Sequence, residues 1–187
     1  EAVAHQYKVS REDQDLFSYN SHLKALHAID NNIFDDDIAP INVEQIFLDK
    51  NGKRSVKNYT AKTDEGPRRG TSVEALAKLR PVFANKGSVT AGNSSQMSDG
   101  AAFVLVMSEE MVKELNLEPI ARMMSYSAVG VEPRIMGIGP VAAVPKALKQ
   151  AGLQISDIDL FELNEAFASQ SLAVIRELGL NKDIVNV

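Results

Sequence analysis

The reactive side chains present set the limits on what chemistry this chain can do. It contains no cysteine, which removes thiolate nucleophiles, disulfides, iron–sulfur clusters and cysteine-ligated zinc from its own repertoire. Its three histidines, His5, His22 and His27, all fall within the first 27 residues, so metal binding or proton transfer by histidine is excluded elsewhere. Carboxylates, amides, hydroxyls and cations remain. Asn164-Glu165 stands where a strand is expected to hand over to a helix, a place where amides and side chains converge. An Asn there can orient a water or donate to a developing oxyanion without changing charge. The same pair also reads as a helix cap followed by an acidic first turn.

Three further segments carry potential contacts. Thr90-Ala91-Gly92-Asn93-Ser94-Ser95 has small side chains that leave its main chain open to a ligand, with hydroxyls at Ser94 and Ser95; a tight turn is the alternative. Arg68-Arg69, with Lys53, Arg54, Lys57 and Lys62, forms a cationic field able to engage a phosphorylated cofactor, or else a solvated loop. Met136-Gly137-Ile138-Gly139-Pro140 fits a wall against a thioester or acyl chain, or a buried connection. No P-loop spacing or GxGxxG arrangement is present, so no nucleotide fold is inferred.

Elements must position these residues. Ser10 and Asp13 have the spacing of a cap and its partner, and Leu16, Tyr19, Leu23, Leu26 and Ile29 recur at helical intervals. An amphipathic helix over 11–29 is expected, then a strand over 41–48 ending at the turn residues Asp49-Lys50-Asn51-Gly52. The polar stretch 52–70 reads as a surface excursion. Thr71 and Glu74 suggest a capping box for a short helix stopped by Pro81. Ala101–Met107 reads as a buried strand, with Ser108 capping a helix over 109–115. A strand over 120–129 is expected, then a helix opened by Pro140 and closed by Gly152, a short strand over 159–163, a helix ended by Gly179, and a last strand from Ile184. Strands alternating with helices argue for a layered α/β domain from about residue 98, preceded by a less regular α+β segment.

The 187 residues, 44% of them hydrophobic, suffice for an apolar core. With 20 Lys and Arg against 25 Asp and Glu, the formal charge of -5 gives no general attraction to nucleic acid. The longest apolar run, Ala101–Met107, is far short of the ~20 residues of a membrane span, so no transmembrane segment is expected, and no retained signal peptide either.

Four motifs in order resemble the thiolase family over essentially the whole chain. They are Ala77-Lys78-Leu79-Arg80-Pro81; Val89 to Ser95 with Ser98-Asp99-Gly100-Ala101-Ala102; Met136 to Pro140; and Asn164-Glu165-Ala166-Phe167-Ala168. The resemblance implies an α/β, thiolase-like layered fold, partial, with an α+β loop domain. Residues 1–97 would be a loop domain covering coenzyme A, 98–118 a return segment of the N-terminal domain, and 119–187 an incomplete C-terminal domain. The family's catalytic cysteines and its Gly-His-Pro histidine have no counterpart here. Glu1 enters without a cap and Ile184–Val187 stops inside an expected strand, so the expectation is a central and C-terminal fragment, inactive alone.

The resemblance further implies that Arg68 contacts the nucleotide part of coenzyme A and that Leu79, Val82 and Phe83 line its adenine and pantetheine region. Ala91 and Ser95 would hold the pantetheine amides, and Met136, Ala166 and Phe167 the pocket wall near the thioester. Asn164 would fix a water in an oxyanion hole. The implied parent cleaves 3-oxoacyl-CoA with coenzyme A to acetyl-CoA and a shortened acyl-CoA. A biosynthetic acetyl-CoA acetyltransferase and a non-catalytic coenzyme A or lipid-binding relative are the alternatives. Coenzyme A is expected as substrate, with no tightly bound cofactor and no metal site. The implied partners are coenzyme A, acyl-CoA thioesters and further copies of the parent, as a homodimer or homotetramer. The expected location is cytoplasmic in a bacterium, or mitochondrial or peroxisomal in a eukaryote.

Overall fold

The structure, a computed structural model, describes residues 1–187. Two short-range signals set its first half. Helix α1 (Ala2–Gln6) leads into α2 (Arg11–Asp30), which opens where Ser10 Oγ accepts the Asp13 N–H at 3.0 Å. Strand β1 (Ile41–Leu48) turns through Asp49, whose Oδ1 accepts the N–H groups of Asn51 and Lys53, with Gly52 at φ 74°. The chain returns as β2 (Arg54–Ala61), antiparallel to β1 in a register running from Ile41 opposite Ala61 to Leu48 opposite Arg54. The expected surface excursion is thus the second strand of a hairpin, exposed enough on both faces to show no apolar alternation. Helix α3 (Val73–Ala77) is capped by Ser72, one residue later than the Thr71 cap expected, because it is the Ser72 hydroxyl that reaches the Ala75 N–H.

The second half carries α4 (Glu109–Glu114), capped by Ser108, then α5 (Gly139–Ala151) and α6 (Ala168–Leu178). Gly152 and Gly179 close the last two in the left-handed conformation, at φ 72° and 64°, as expected of C-terminal glycines. Helix α6 is the centre of the molecule. Every residue from Ala168 to Ile175 is buried, and its small Ala and Ser side chains let α1, α2 and the 3₁₀ segment Pro133–Ile138 pack closely around it. Val3, Val9, Ile135, Leu172 and Ala173 form one apolar cluster, and Ile175, Leu180 and Val185 a second.

Several expectations are corrected. The apolar residues Leu16 and Leu23 of α2 are exposed, and the buried face of this helix is polar: Gln14, Asp15 and Ser18. Long-range polar partners, described below, override the apolar periodicity. Residues 101–107 and 120–129 form no ladder, since no other segment pairs with their backbone, and Phe103 to Val106 are 78–95% exposed. The strands expected over 159–163 and from Ile184 reduce to a single parallel bridge between Phe161 and Val185, preceded by the 3₁₀ turn Lys182–Ile184. No helix is long and apolar enough to cross a membrane.

A buried polar seam joins the two halves. Asp15, 1% exposed, accepts from Arg11 Nε at 2.7 Å and from Asn93 Nδ2 at 3.0 Å. Asn93 also donates to the Ser88 carbonyl and accepts the Thr90 N–H at 2.8 Å, while its own carbonyl accepts the first N–H of α6, Ala168, at 3.0 Å. Asn93→Ala leaves a buried carboxylate oxygen and a buried amide N–H without partners. A loss of about 3 kcal/mol in unfolding free energy is expected, at unchanged denaturant slope, in urea titrations of the two chains.

Candidate functional site

Two loops meet at the N-terminus of α6. The Ser95 N–H donates to the Ala166 carbonyl at 2.9 Å, Ser94 forms an antiparallel bridge with Phe167, and Ala168 bonds back to Asn93. Gly92 lets this first loop approach closely, because a Cβ there would lie 2.5 Å from Leu79 Cδ1 and 2.6 Å from Leu76 Cδ2 and would displace both side chains. The loop therefore seats against Leu76 of α3 and the start of α6 together, which brings Ser95 against the segment 164–167 and Leu79 against Gly92. Phe83 packs edge-on against Phe167 with ring centroids 5.9 Å apart.

Beneath these rings lies a cavity of about 880 Å³, mostly apolar. Phe83, Met136, Asn164, Ala166 and Phe167 all line it, so the structure brings five of the sequence-predicted residues into one wall system. Val3, Val89, Val144 and Phe161 add apolar surface, and Arg134, Glu162 and Gln170 supply polar groups that sequence reading did not single out. Leu79, Val82, Ala91, Ser95 and Arg68 lie outside the cavity, all of them exposed. Such an arrangement can bury an acyl or thioester group while leaving a polar, extended portion of the same ligand along the outer loop.

Asn164 is exposed, without a side-chain hydrogen bond to the protein, and so is free to serve a ligand. Its neighbour Glu165 does not stand in the acidic first helical turn that the sequence also allowed. Helix α6 starts three residues later, and Glu165 is instead fixed by Ser21 Oγ–H at 2.6 Å and by Asn186 Nδ2–H at 2.7 Å.

The cationic loop is divided between two roles. Arg69 is tied to Asp30 by a two-pronged ion pair, and each partner favours the charged form of the other. Arg68 makes no salt bridge, and its backbone N–H donates to His22 Nδ1 at 3.3 Å. Burial of the His22 ring, with the Arg68 cation adding to it, lowers its pKa below the ordinary 6.5 against the opposing pull of Glu165. Neutral His22 accepts at Nδ1 and so carries its proton at Nε2. No group of three or more His, Cys, Asp or Glu residues could hold a metal.

Similarity to known proteins bears on this site. A family described as "Thiolase, N-terminal domain" matches residues 1–110 and one described as "Thiolase, C-terminal domain" matches 117–187. The 3-ketoacyl-CoA thiolase of Bacillus subtilis is 50% identical over 187 residues, covering 100% of this chain and 48% of its own length. Human mitochondrial 3-ketoacyl-CoA thiolase in complex with CoA superposes with a TM-score of 0.88 at 44% identity, over 99% of this chain and 44% of that one. The dimeric peroxisomal thiolase of Saccharomyces cerevisiae gives 0.87 at 43% identity, over 98% and 44%. The chain spans about half the length of the curated relatives it matches. These matches correct the expected central and C-terminal placement and the partial fold: models of both family halves match, over residues 1–110 and 117–187, and the thiolase-like α/β fold runs along the whole chain.

His22 makes the outer loop sensitive to pH. A folded-state pKa below the unfolded value means that the unfolded chain takes up the proton first, so stability falls as pH drops below about 6.5 and is restored above it. Thermal unfolding between about pH 5 and 8 should show this rise with pH. In His22→Asn, whose amide oxygen can accept the Arg68 N–H without titrating, the rise should flatten.

Proposed function

Because this chain belongs to the thiolase family, we propose that it binds coenzyme A and 3-oxoacyl-CoA thioesters and serves the thiolytic cleavage of the latter to acetyl-CoA and a shortened acyl-CoA. The observation that carries this reading is the convergence of Phe83, Met136, Asn164, Ala166 and Phe167 on one apolar cavity. In it Asn164 is an exposed amide with no side-chain partner in the protein.

Each residue then has a task. Arg68 faces solvent with its charge uncommitted and meets the phosphates of the nucleotide, and the exposed Leu79 and Val82 line the adenine and pantetheine region. The backbone around Ala91 and Ser95 follows the pantetheine amides. Phe83, Met136, Ala166 and Phe167 exclude water from the thioester. The Asn164 amide N–H, directly or through a water, donates to the oxygen that gains negative charge as the carbonyl is attacked. Cleavage itself requires a thiolate nucleophile, and these 187 residues contain no cysteine. Their contribution is recognition and oxyanion stabilisation, and the chain alone binds ligand without forming a covalent acyl intermediate. The division into a coenzyme A-covering part (1–97), a return segment (98–118) and a C-terminal part (119–187) belongs to the same reading, as does assembly as a homodimer.

The degradative direction is favoured over acetyl-CoA acetyltransferase activity by Gly92-Asn93-Ser94-Ser95-Gln96 and the approach Asp64 to Arg68. A cavity of about 880 Å³ also has room for more than a four-carbon acyl group. Affinity measured by isothermal titration should therefore rise as the 3-oxoacyl chain lengthens beyond four carbons, each buried methylene adding up to about 0.8 kcal/mol. Tightest binding of the four-carbon thioester would favour the acetyltransferase reading.

Arg68→Ala should weaken coenzyme A binding by about 1 kcal/mol, with a loss that shrinks at higher salt because the guanidinium is exposed and screened. Arg69→Ala, which removes only the partner of Asp30, should leave affinity near that of the parent chain. The reverse order would move the phosphate contact to Arg69.

A further inference from the structure

Asn164 has no side-chain bond of its own, yet the Leu163 backbone before it and the Glu165 side chain after it are held by one residue. Asn186 Oδ1 accepts the Leu163 N–H at 2.7 Å, and Asn186 Nδ2 donates both to the Leu163 carbonyl at 2.8 Å and to Glu165 Oε1 at 2.7 Å. The other carboxylate oxygen of Glu165 accepts from Ser21 of α2. Residues 163 and 165 are thus fixed, and residue 164 between them projects where their geometry sends it. Asn186 sits at φ 49°, a left-handed conformation that Asn tolerates better than most residues. Lys24 Nζ, from one turn further along α2, donates to the neighbouring Val185 carbonyl at 2.8 Å and holds the segment that carries Asn186.

We propose that Asn186 is a positioning residue, which by holding the Leu163 backbone and, with Ser21, the Glu165 carboxylate fixes the residues on either side of Asn164 so that the Asn164 amide faces the carbonyl end of a bound thioester. This rests on the reading that Asn164 serves that carbonyl. All three side-chain hydrogen bonds of Asn186 go to residues flanking Asn164 and none to Asn164 itself, while its backbone N–H donates to the Phe161 carbonyl at 2.9 Å, so the clamp sets direction without competing for the amide that the ligand needs. A hydrogen-bonding side chain at this point, not bulk, is what the geometry uses.

The test compares two ligands on the 187-residue chain by isothermal titration: coenzyme A, which lacks the carbonyl, and acetoacetyl-CoA, which has it. Asn186→Gly keeps the left-handed backbone and removes the clamp. Asn186→Asp keeps the acceptor for Leu163 but faces Glu165 with a second carboxylate, and adding Glu165→Gln turns that repulsion into a bond. Asn186→Gly and Asn186→Asp are expected to lose about fivefold or more in affinity for acetoacetyl-CoA while keeping that for coenzyme A within about twofold, and Asn186→Asp with Glu165→Gln to regain part of the loss. General unfolding would lower both affinities together, and that result overturns the positioning role. Asn164→Ala separates the layers. If it loses acetoacetyl-CoA selectively while the Asn186 variants do not, the clamp is refuted and the reading of Asn164 stands; if Asn164→Ala leaves both affinities unchanged, the reading of Asn164 fails and the clamp with it.

Discussion

The carboxylate of Asp15 is buried, and a buried charge is tolerated only when its partners are fixed in place. Arg11 supplies one partner from the preceding turn of α2, and Asn93 supplies the other from a loop far along the chain. Arg11 is itself held, since its second nitrogen donates to the carbonyls of Leu76 and Leu79 at 2.7 and 3.0 Å. To satisfy one acid, the protein must therefore bring α2, the end of α3 and the 88–95 loop together. The Asn93 carbonyl then receives the first N–H of α6, so the central helix begins where this network allows.

The same helix reaches the other segments of the proposed site. Asp13 accepts from Arg176 of α6 at 2.6 Å, and that hydrogen bond is the largest influence keeping the Asp13 carboxyl below its usual range. Ser21 holds Glu165, His22 holds the backbone of Arg68, and Lys24 holds Val185. None of these contacts is apolar. The apolar clusters around α6 supply the cohesion of the fold, while the polar side chains of α2 determine which loop lies where. Buried hydrogen bonds contribute modest net stability but are costly to leave unmade, which suits them to specifying arrangement.

Signals acting within a few residues were legible. The Ser10 and Ser108 caps, the Asp49–Gly52 turn and the closing glycines Gly152 and Gly179 stand where local chemistry put them. What α2 buries was not legible, because Leu16 and Leu23 match the helical repeat while one of the two partners of Asp15 comes from a residue 78 positions away. Strand β2 escaped notice for the opposite reason: its side chains are largely exposed on both faces, so its pairing rests on backbone bonds that leave no pattern in residue type. Asn164 was found through its place before a helix, although the strand expected to precede it is only a bridge between Phe161 and Val185. Glu165 and Asn186 were missed as participants because their bonds to each other and to Ser21 cross the fold.

A helix whose contacts lie on different turns acts as a ruler. Arg11, Asp15, Ser21, His22 and Lys24 follow one another along α2 at about 1.5 Å per residue and about 100° of rotation. The loops they hold are thereby spaced along the axis and set at fixed angles around it. Inserting or deleting a single residue between Asp15 and Ser21 would leave the helix intact and its composition nearly unchanged, yet swing every contact beyond the change through roughly a quarter turn. Asp15 would still reach Asn93, but Ser21 and His22 would turn away from Glu165 and the Arg68 backbone. In this protein the spacing of residues within α2 is therefore less free to vary than their hydrophobicity.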